Sequence, residues 1–504
     1  MEARSRIPVG PPAQNPLPSY WHNPKSPLAN LIEPETDNPT CVYDYLIIGS
    51  GISGTMIAYN LFKSQPKARI VMLEAREACS GATGRNGGHT KAASYRGYLE
   101  HVQELGKEEA LKIARMEYAN IMETHALART MAPNCESAVC ETVDVMYDAD
   151  SFELGKTAIA ALYADATEEE KKEGQMAHYT VHSATPDILE RFHIAPPSSS
   201  TTTTMDAQTP PAGLFSYTAG RIHAYRFTTS VLSHCVSQYG LVLCTKTPVH
   251  KILPSSPGGA STSTPTPETE TWDVHTQHAT FSARHVVLAT NGYTPYLLPA
   301  TQGVLVPMRG HMTAQRPGRG NKLSTPLRTT YSFIYRGGYD YMIPRPLSGG
   351  GGQDIVIGGG LGRLQGGGEE EYGTVDDTRL NVDISSYLGD SLVSYFGAEN
   401  WGAADQTREE RVVQEWTGIM GATADGRPFV GQVPGMQGVW LSAGFNGHGM
   451  VLCLKSAEAL ATMLLGNGVP EWFPESFLIN EERLKKKREF GGRTDLQGPS
   501  VIGR

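Results

Sequence analysis

The sequence predicts an α/β fold with a Rossmann-like nucleotide-binding unit, and three observations carry that prediction. Residues 43 to 54 read Tyr-Asp-Tyr-Leu-Ile-Ile-Gly-Ser-Gly-Ile-Ser-Gly, an apolar strand that runs directly into Gly49-x-Gly51-x-x-Gly54. A second apolar stretch, Ile70 to Leu73, ends at Glu74, about twenty residues beyond Gly54. Two later segments repeat the order of strand and glycine turn: Val286-Val-Leu-Ala289-Thr-Asn-Gly292, and Val439-Trp-Leu-Ser-Ala-Gly444-Phe-Asn446-Gly447-His448-Gly449-Met450. In a parallel sheet such turns gather at the carboxyl ends of the strands, where ligands bind.

Each glycine of the first turn has a separate task. Gly49 permits the tight strand-to-helix turn, Gly51 lets the backbone approach a pyrophosphate, and Gly54 lets the helix lie close to the strand. The helix N-terminus behind them offers free N–H groups and the positive end of its dipole. Met56, Ile57 and Leu61 give that helix its apolar face. Glu74 stands where a carboxylate accepts hydrogen bonds from ribose hydroxyls. The loop that follows, Cys79-Ser-Gly-Ala-Thr83-Gly-Arg85-Asn86-Gly87-Gly-His89, has four glycines, so its amides can lie close against a large planar or phosphorylated ligand.

Bulk properties bound the rest. The chain of 504 residues predicts two to four domains. Apolar content of 39%, charged content of 19% and a formal charge of -9 fit a soluble globular protein and leave no basic footprint for nucleic acid. The basic run Lys485-Lys-Lys-Arg488 is expected on an exposed face of a terminal helix. Seven scattered cysteines, without C-x-x-C spacing, indicate neither a disulfide framework nor a zinc site. No run of about eighteen apolar residues occurs, so the expectation is a cytoplasmic protein that does not enter a membrane.

Along the chain, residues 1 to 40 read as an extended proline-rich tail pinned by Tyr20 and Trp21. Apolar residues at three- and four-residue spacing predict helix from Leu99 to about Arg129 and again over 152–174. Strands are expected over 240–245, 283–288, 303–308, 339–344 and 354–358. Pro196 to Pro211, Ser255 to Glu270, Gly349 to Gly352 and Gly366 to Gly368 read as surface loops.

These motifs, taken in order, resemble the D-amino acid oxidase and glycine oxidase superfamily of FAD-dependent oxidoreductases over about Asp44 to Leu465. The Thr83-Gly-Arg-Asn-Gly-Gly loop is similar to that of gamma-glutamylputrescine oxidase-like members, and the tail with Ser19-Tyr-Trp resembles fungal ones. The resemblance implies a discontinuous FAD-binding domain from residues 41–100, 213–300 and 410–470. It implies a substrate domain of helices and an antiparallel sheet from 101–212 and 301–409, with a C-terminal helix and tail over 471–504. It implies FAD contacts from Gly49, Ser50, Gly51, Ser53, Gly54, Glu74, Ala75, Thr83, Arg85, Asn86, Gly87, Val249, Ala289, Gly292, Gly444, Asn446, Gly447, His448, Gly449 and Met450. Where some relatives attach the flavin through His or Cys, this chain has Arg85 and no cysteine just before Asp425, so the FAD is expected to be noncovalent.

The implied reaction is oxidation of a C–N bond in a small-molecule amine or amino acid. Hydride passes from the carbon bearing the neutral amine to flavin N5, an imine forms, and dioxygen takes the electrons to give hydrogen peroxide. A dehydrogenase or biosynthetic oxidase acting on another bond is the alternative. Arg345, after Tyr341-Met-Ile-Pro, sits where relatives clamp a substrate carboxylate, although a structural arginine paired with an acid reads equally well. Tyr341 is a candidate pocket wall. His311, in Pro307-Met-Arg-Gly-His, replaces a family glutamine and is either a pocket residue or a buried histidine bonded to the backbone. Substrate identity and oligomeric state are not encoded in any of these motifs.

Overall fold

The structure is a computed structural model describing residues 2–31, 41–195, 210–255, 271–323, 326–347, 353–403 and 406–485. Two sheets organise it. The first has the strand order Phe429–Gln432, Val439–Ala443, Thr280–Leu288, Val42–Ile48, Ile70–Leu73 and Val242–Cys244. Its four inner junctions are parallel, and only Phe429–Gln432 runs antiparallel to its neighbour. An antiparallel ribbon, Val249–Pro254 with Trp272–Thr276, joins it through Thr280–Leu288. Val42–Ile48 sits centrally because both faces of it are apolar, as a strand covered on both sides requires.

The helices Ile52–Ser64, Ala224–Tyr239 and Gly449–Leu464 bury their apolar residues with the sheet in one cluster that includes Ile47, Met56, Phe62, Phe227 and Leu460. Gly54 decides how close the first of these helices can come. A Cβ there would lie 2.0 Å from the carbonyl oxygen of Gly49.

The second sheet has the order Val412–Thr423, Leu305–Gln315, Ile355–Gly358, Gly338–Pro344, Thr330–Tyr335, Ala138–Met146, Gly213–Arg221 and His89–Thr90. Every junction is antiparallel except that between Thr330–Tyr335 and Ala138–Met146. Helices Tyr95–Leu105, Lys107–Met131 and Ala149–Asp165 form a layer near it, and Val382–Phe396 packs on Phe333 and Ile357.

The expected strands all form, that at 303–308 extending to Gln315 because it pairs along its length with Val412–Thr423. The expected helix from Leu99 to Arg129 is two helices, broken at Gly106, whose φ of +86° only glycine adopts without strain. The second expected helix stops at Asp165, where Ala166 turns extended and the next residues close a Thr167–Glu170 turn. Strands Gly213–Arg221 and Val412–Thr423 lie in the second sheet, not the first, so the chain crosses between sheets inside the segments 213–300 and 410–470. The loops at 196–209, 256–270 and 348–352, and Lys486 to Arg488 of the basic run, lie outside the described residues.

The N-terminal segment is a strap, not a loose tail. Arg4 donates to the carbonyls of Tyr372 and Glu370, and Gln302 donates to those of Ser5 and Ile7. Trp21 is 1% exposed, and Ala29 and Leu31 accept backbone bonds from Ala78 and Thr245. Among the described residues no helix is long and apolar enough to cross a membrane.

Gly54→Ala is expected to destabilise the protein by about 2 kcal/mol, as overpacking does. Gly81→Ala, at negative φ with no atom within 4 Å, should shift stability by less than about 0.5 kcal/mol. Urea unfolding of the two variants against the parent checks this, and equal losses would refute the packing role of Gly54.

Candidate functional site

The carboxyl ends of the parallel strands open onto a long cavity of about 210 Å³ that continues to the second sheet. At the glycine turn Gly49 has φ +107°, and a Cβ there would stand 2.6 Å from the carbonyl oxygen of Ala289. Gly51 is the N-cap of Ile52–Ser64 and offers no side-chain cap. The amide of Ile52 donates to Thr83 Oγ at 3.0 Å, which ties the later loop to the helix N-terminus. Glu74 closes the next strand, its two oxygens accepting from Ser50 N at 3.1 Å, Ser50 Oγ at 2.6 Å and Arg76 N at 2.9 Å.

The loop from Cys79 to His89 is held by its arginine. Arg85 donates to the carbonyls of Ser80, Thr417 and Leu17 at 2.9, 2.9 and 2.8 Å. Its Nε also lies 3.8 Å from Asp377, and burial lowers its pKa to about 10 despite that carboxylate. Arg76 meets both Asp377 oxygens, at 3.1 and 2.9 Å. Trp416 and Trp21 donate their indole N–H groups to the carbonyls of Arg85 and Asn86. The strap thereby reaches the cavity, where Pro11 and Pro12 form part of the wall.

At the other end Asn291, with φ +42°, accepts from Gly444 N at 3.0 Å and so binds two glycine turns together. Asn446 accepts from Thr423 N at 2.7 Å and donates to the carbonyl of Gly444 at 2.7 Å. The helix Gly449–Leu464 starts from this turn. Asn120 fixes it by donating to the carbonyl of Met450 and accepting from Lys455 N.

A second cavity of about 80 Å³ abuts the first. Asn86, Tyr341, Gly447 and Met450 line both. Its own wall includes His89, Lys91, Arg96, Ser332, Tyr339 and His448. His448 Nδ1 donates to the carbonyl of Asn446 at 2.8 Å, which leaves Nε2 as the ring's acceptor. Burial, with the charge of Arg96 adding to it, lowers the pKa of His448. His89 pairs with Thr330 Oγ at 2.8 Å, and burial followed by Lys91 pushes its pKa well down. Both rings are therefore neutral at pH 7.

Among the expected cofactor contacts, Gly49, Gly51, Ser53, Glu74, Ala75, Thr83, Arg85, Asn86, Val249, Ala289, Gly447, Gly449 and Met450 line the larger cavity. Gly87 and His448 line the smaller one. Five others support the walls from behind. Ser50 holds Glu74 and accepts from Cys79 N, and Gly54 seats its helix. Gly292 is needed because a Cβ would stand 2.3 Å from the carbonyl oxygen of Met420. Gly444 and Asn446 shape the turn.

The substrate-side expectations divide. Tyr341 lies at the seam of the two cavities, its hydroxyl 3.4 Å from Met312 Sδ, and burial raises its pKa. His311 points away. On its strand Gly310 and Met312 face the cavity, so the alternation turns Arg309 and His311 to the opposite side. There His311 Nε2 accepts from Asn381 N at 2.9 Å, and burial lowers its pKa to about 4. Arg345 lines neither cavity. Its Nε donates to Glu136 at 2.9 Å and its Nη1 to Tyr20 at 2.6 Å, and Tyr20 and Trp21 lie within cation–π range. Glu136 and the strap engage all three guanidinium nitrogens, which fits the paired structural reading of Arg345 over the carboxylate clamp.

Residues with no motif complete the walls: Pro11, Pro12, Arg76, Tyr293 and Met312 in the larger cavity, Lys91, Arg96 and Tyr339 in the smaller. Pro11 and Pro12 belong to the proline-rich segment and Tyr339 to an expected strand, and no motif marks the others. The larger cavity fits a dinucleotide. A Cβ would fill its turn at Gly49, and the buried Tyr293 hydroxyl on its wall has no hydrogen-bond partner among the described residues. Among the described residues no group of three His, Cys, Asp or Glu could hold a metal ion.

Comparison with known proteins bears on this geometry. The family model described as FAD dependent oxidoreductase (DAO) matches residues 44–463. A glycine oxidase of Pseudomonas putida KT2440 is 36% identical over 55 residues, which are 11% of this chain and 15% of that protein's length. Among solved structures, glycine oxidase from Geobacillus kaustophilus superposes with TM-score 0.62 at 17% identity, covering 88% of this chain and 99% of that one. L-Amino acid deaminase from Proteus myxofaciens, in complex with anthranilate, gives TM-score 0.61 at 15% identity, covering 94% and 97%. At these identities the structures testify to the fold.

Asp377→Asn would leave the buried Arg76 and Arg85 without their carboxylate. The expected cost is about 3 kcal/mol, read from chemical unfolding. A loss below about 1 kcal/mol would mean that the carbonyl partners suffice.

Proposed function

The chain belongs to the FAD dependent oxidoreductase (DAO) family, and on that premise we propose that it oxidises a carbon–nitrogen bond of an amine or amino acid where its two cavities meet. The observation that carries this reading is their shared wall of Asn86, Tyr341, Gly447 and Met450. One cavity has the walls of a dinucleotide site, and the other is small and polar. Gly49, Gly51 and the helix N-terminus behind them would hold the FAD pyrophosphate, and Glu74 would accept from the ribose. Held there, FAD would supply the two-electron acceptor for oxidation of the C–N bond to an imine, with dioxygen as the final acceptor and hydrogen peroxide as its product.

The protein's own contribution is placement and polarity. The 16-residue helix Gly449–Leu464 directs its positive end to the seam, which favours negative charge there. Tyr341 separates the polar cavity from Met312 and stays protonated, since burial raises its pKa. Neutral His448 keeps Nε2 as an acceptor for an amine N–H. Lys91 is bound to Asp144 and to Ser332 Oγ, so it is not a free base. An amine that enters deprotonated needs no further base. The FAD is noncovalent in this reading, since Arg85 occupies the loop position and Cys79 and Cys453 are both buried.

Purified protein should be yellow and release its flavin on acid precipitation. Anaerobic addition of the right amine, from a panel of D- and L-amino acids, N-methyl amino acids and polyamines, should bleach it. In air, peroxide should match the oxygen consumed. A flavin that no amine reduces would sink the proposal, and bleaching without peroxide would reassign the acceptor.

Deleting residues 2–16 removes Pro11, Pro12 and the Ala13 carbonyl that accepts from Arg76. FAD should then bind about tenfold more weakly, the equivalent of about 1.4 kcal/mol, in fluorescence titration of the apoprotein. Unchanged affinity would show that the strap only decorates the site.

A further inference from the structure

The strap lies outside the segment that the family model matches, since it covers residues 2–31 and the match begins at residue 44. Its second half nonetheless grips the glycine loop at the place where the two cavities meet. Three consecutive loop carbonyls are held by side chains. Ser19 Oγ donates to the carbonyl of Gly84 at 2.7 Å, Trp416 Nε1 to that of Arg85 at 2.8 Å, and Trp21 Nε1 to that of Asn86. The strap supplies two of these donors and bears on the third, because the Tyr20 ring stacks on Trp416 with centres 5.9 Å apart. The fit leaves the loop no slack. A Cβ on Gly84 would stand 2.4 Å from His22 Nε2 of the strap, and a Cβ on Gly87 would stand 2.6 Å from the ring of Tyr341.

A trans peptide is planar, and its C=O and N–H point in opposite directions. The Arg85 carbonyl, drawn to Trp416, therefore turns the amide of Asn86 away from that indole. The Asn86 carbonyl, drawn to Trp21, turns the amide of Gly87 away from the strap. Neither amide donates to a backbone carbonyl among the described residues, whereas the next one, of Gly88, is taken by Asn86 Oδ1. Asn86 lines both cavities and Gly87 the smaller. Each of the two amides belongs to a peptide whose oxygen already accepts a hydrogen bond, which polarises the N–H and strengthens it as a donor.

We propose that Ser19 and Trp21 are positioning residues for the oxidation: by holding the Gly84 and Asn86 carbonyls they keep the amides of Asn86 and Gly87 turned to the seam as a fixed pair of donors. Oriented backbone amides favour negative charge and need no reorganisation to do so. This rests on the reading given above, that the larger cavity holds FAD. On that reading the pair favours the electron-rich reduced cofactor over the oxidised one, and the strap sets the acceptor's potential besides walling its site with Pro11 and Pro12.

Trp21→Phe keeps an aromatic ring against Tyr20 and His223 and removes the indole N–H. Equilibrating the holoprotein with a reference redox dye, with dithionite as the reductant and no amine present, reads the consequence. The ratio of reduced to oxidised flavin at a fixed dye ratio should fall about tenfold, which is about 30 mV for a two-electron couple. Ser19→Ala should shift it in the same direction by about threefold, as loss of one hydrogen bond does. Tyr20→Phe loses the hydroxyl bonded to Asp354 and Arg345 but frees no loop carbonyl, so it should leave the ratio unchanged. An unchanged ratio in Trp21→Phe would overturn the inference. So would an equal shift in Tyr20→Phe, which would mean that any loosening of the strap suffices. Should Trp21→Phe not retain FAD, Ser19→Ala decides the matter in the same way. The measurement needs bound flavin but no substrate, so an unchanged potential refutes the positioning role and leaves amine oxidation standing. A holoprotein that no amine bleaches removes that reaction and leaves the potential readable.

Discussion

The carboxylate of Asp377 is the point on which the larger site depends. It is fully buried, it meets Arg76 through both oxygens, and it lies 3.8 Å from Arg85. Its backbone carbonyl also receives Leu17 of the strap. One residue thereby joins the segment after Glu74, the glycine loop and the N-terminal strap. Two buried guanidiniums would repel each other and the interior without an anion between them. With it they hold glycine-rich backbone, which has little conformational preference of its own, in one arrangement.

The seam between the cavities is built by a similar economy. Asn291 and Asn446 use their side-chain amides to bind the turns around Gly444 to one another, and Asn120 holds the helix that follows. These bonds satisfy backbone groups that a sharp turn would otherwise leave buried and unpaired. The polar cavity beside them is electrostatically asymmetric. Lys91 is paired with Asp144, the two histidines are held neutral, and the buried Nε of Arg96 has no hydrogen-bond partner among the described residues.

Much of the glycine-turn half of the site was legible because its requirements are local. A turn needing φ +107° at Gly49, and an acid at the end of the next strand, leave marks within about thirty residues. The substrate side was less legible because its partners come from distant segments. Arg345 and Arg96 are chemically identical, and no local pattern separates them. Glu136 and Tyr20 occupy the first, while Asp144, which stands near the second, is already filled by Lys91, Tyr95 and Tyr217. The orientation of His311 follows from strand alternation, but that requires knowing which face of its strand meets the cavity.

By itself the sequence determined the order of motifs, the glycine turns, the acid that ends the second strand and the family, since each is a constraint on neighbouring residues. Only the tertiary structure decided which side chains face a cavity, that the proline-rich tail becomes a wall of it, and which arginines close on a carboxylate. The reason is physical: backbone conformation is set by short-range sterics, whereas the state of a buried charge depends on every group packed around it.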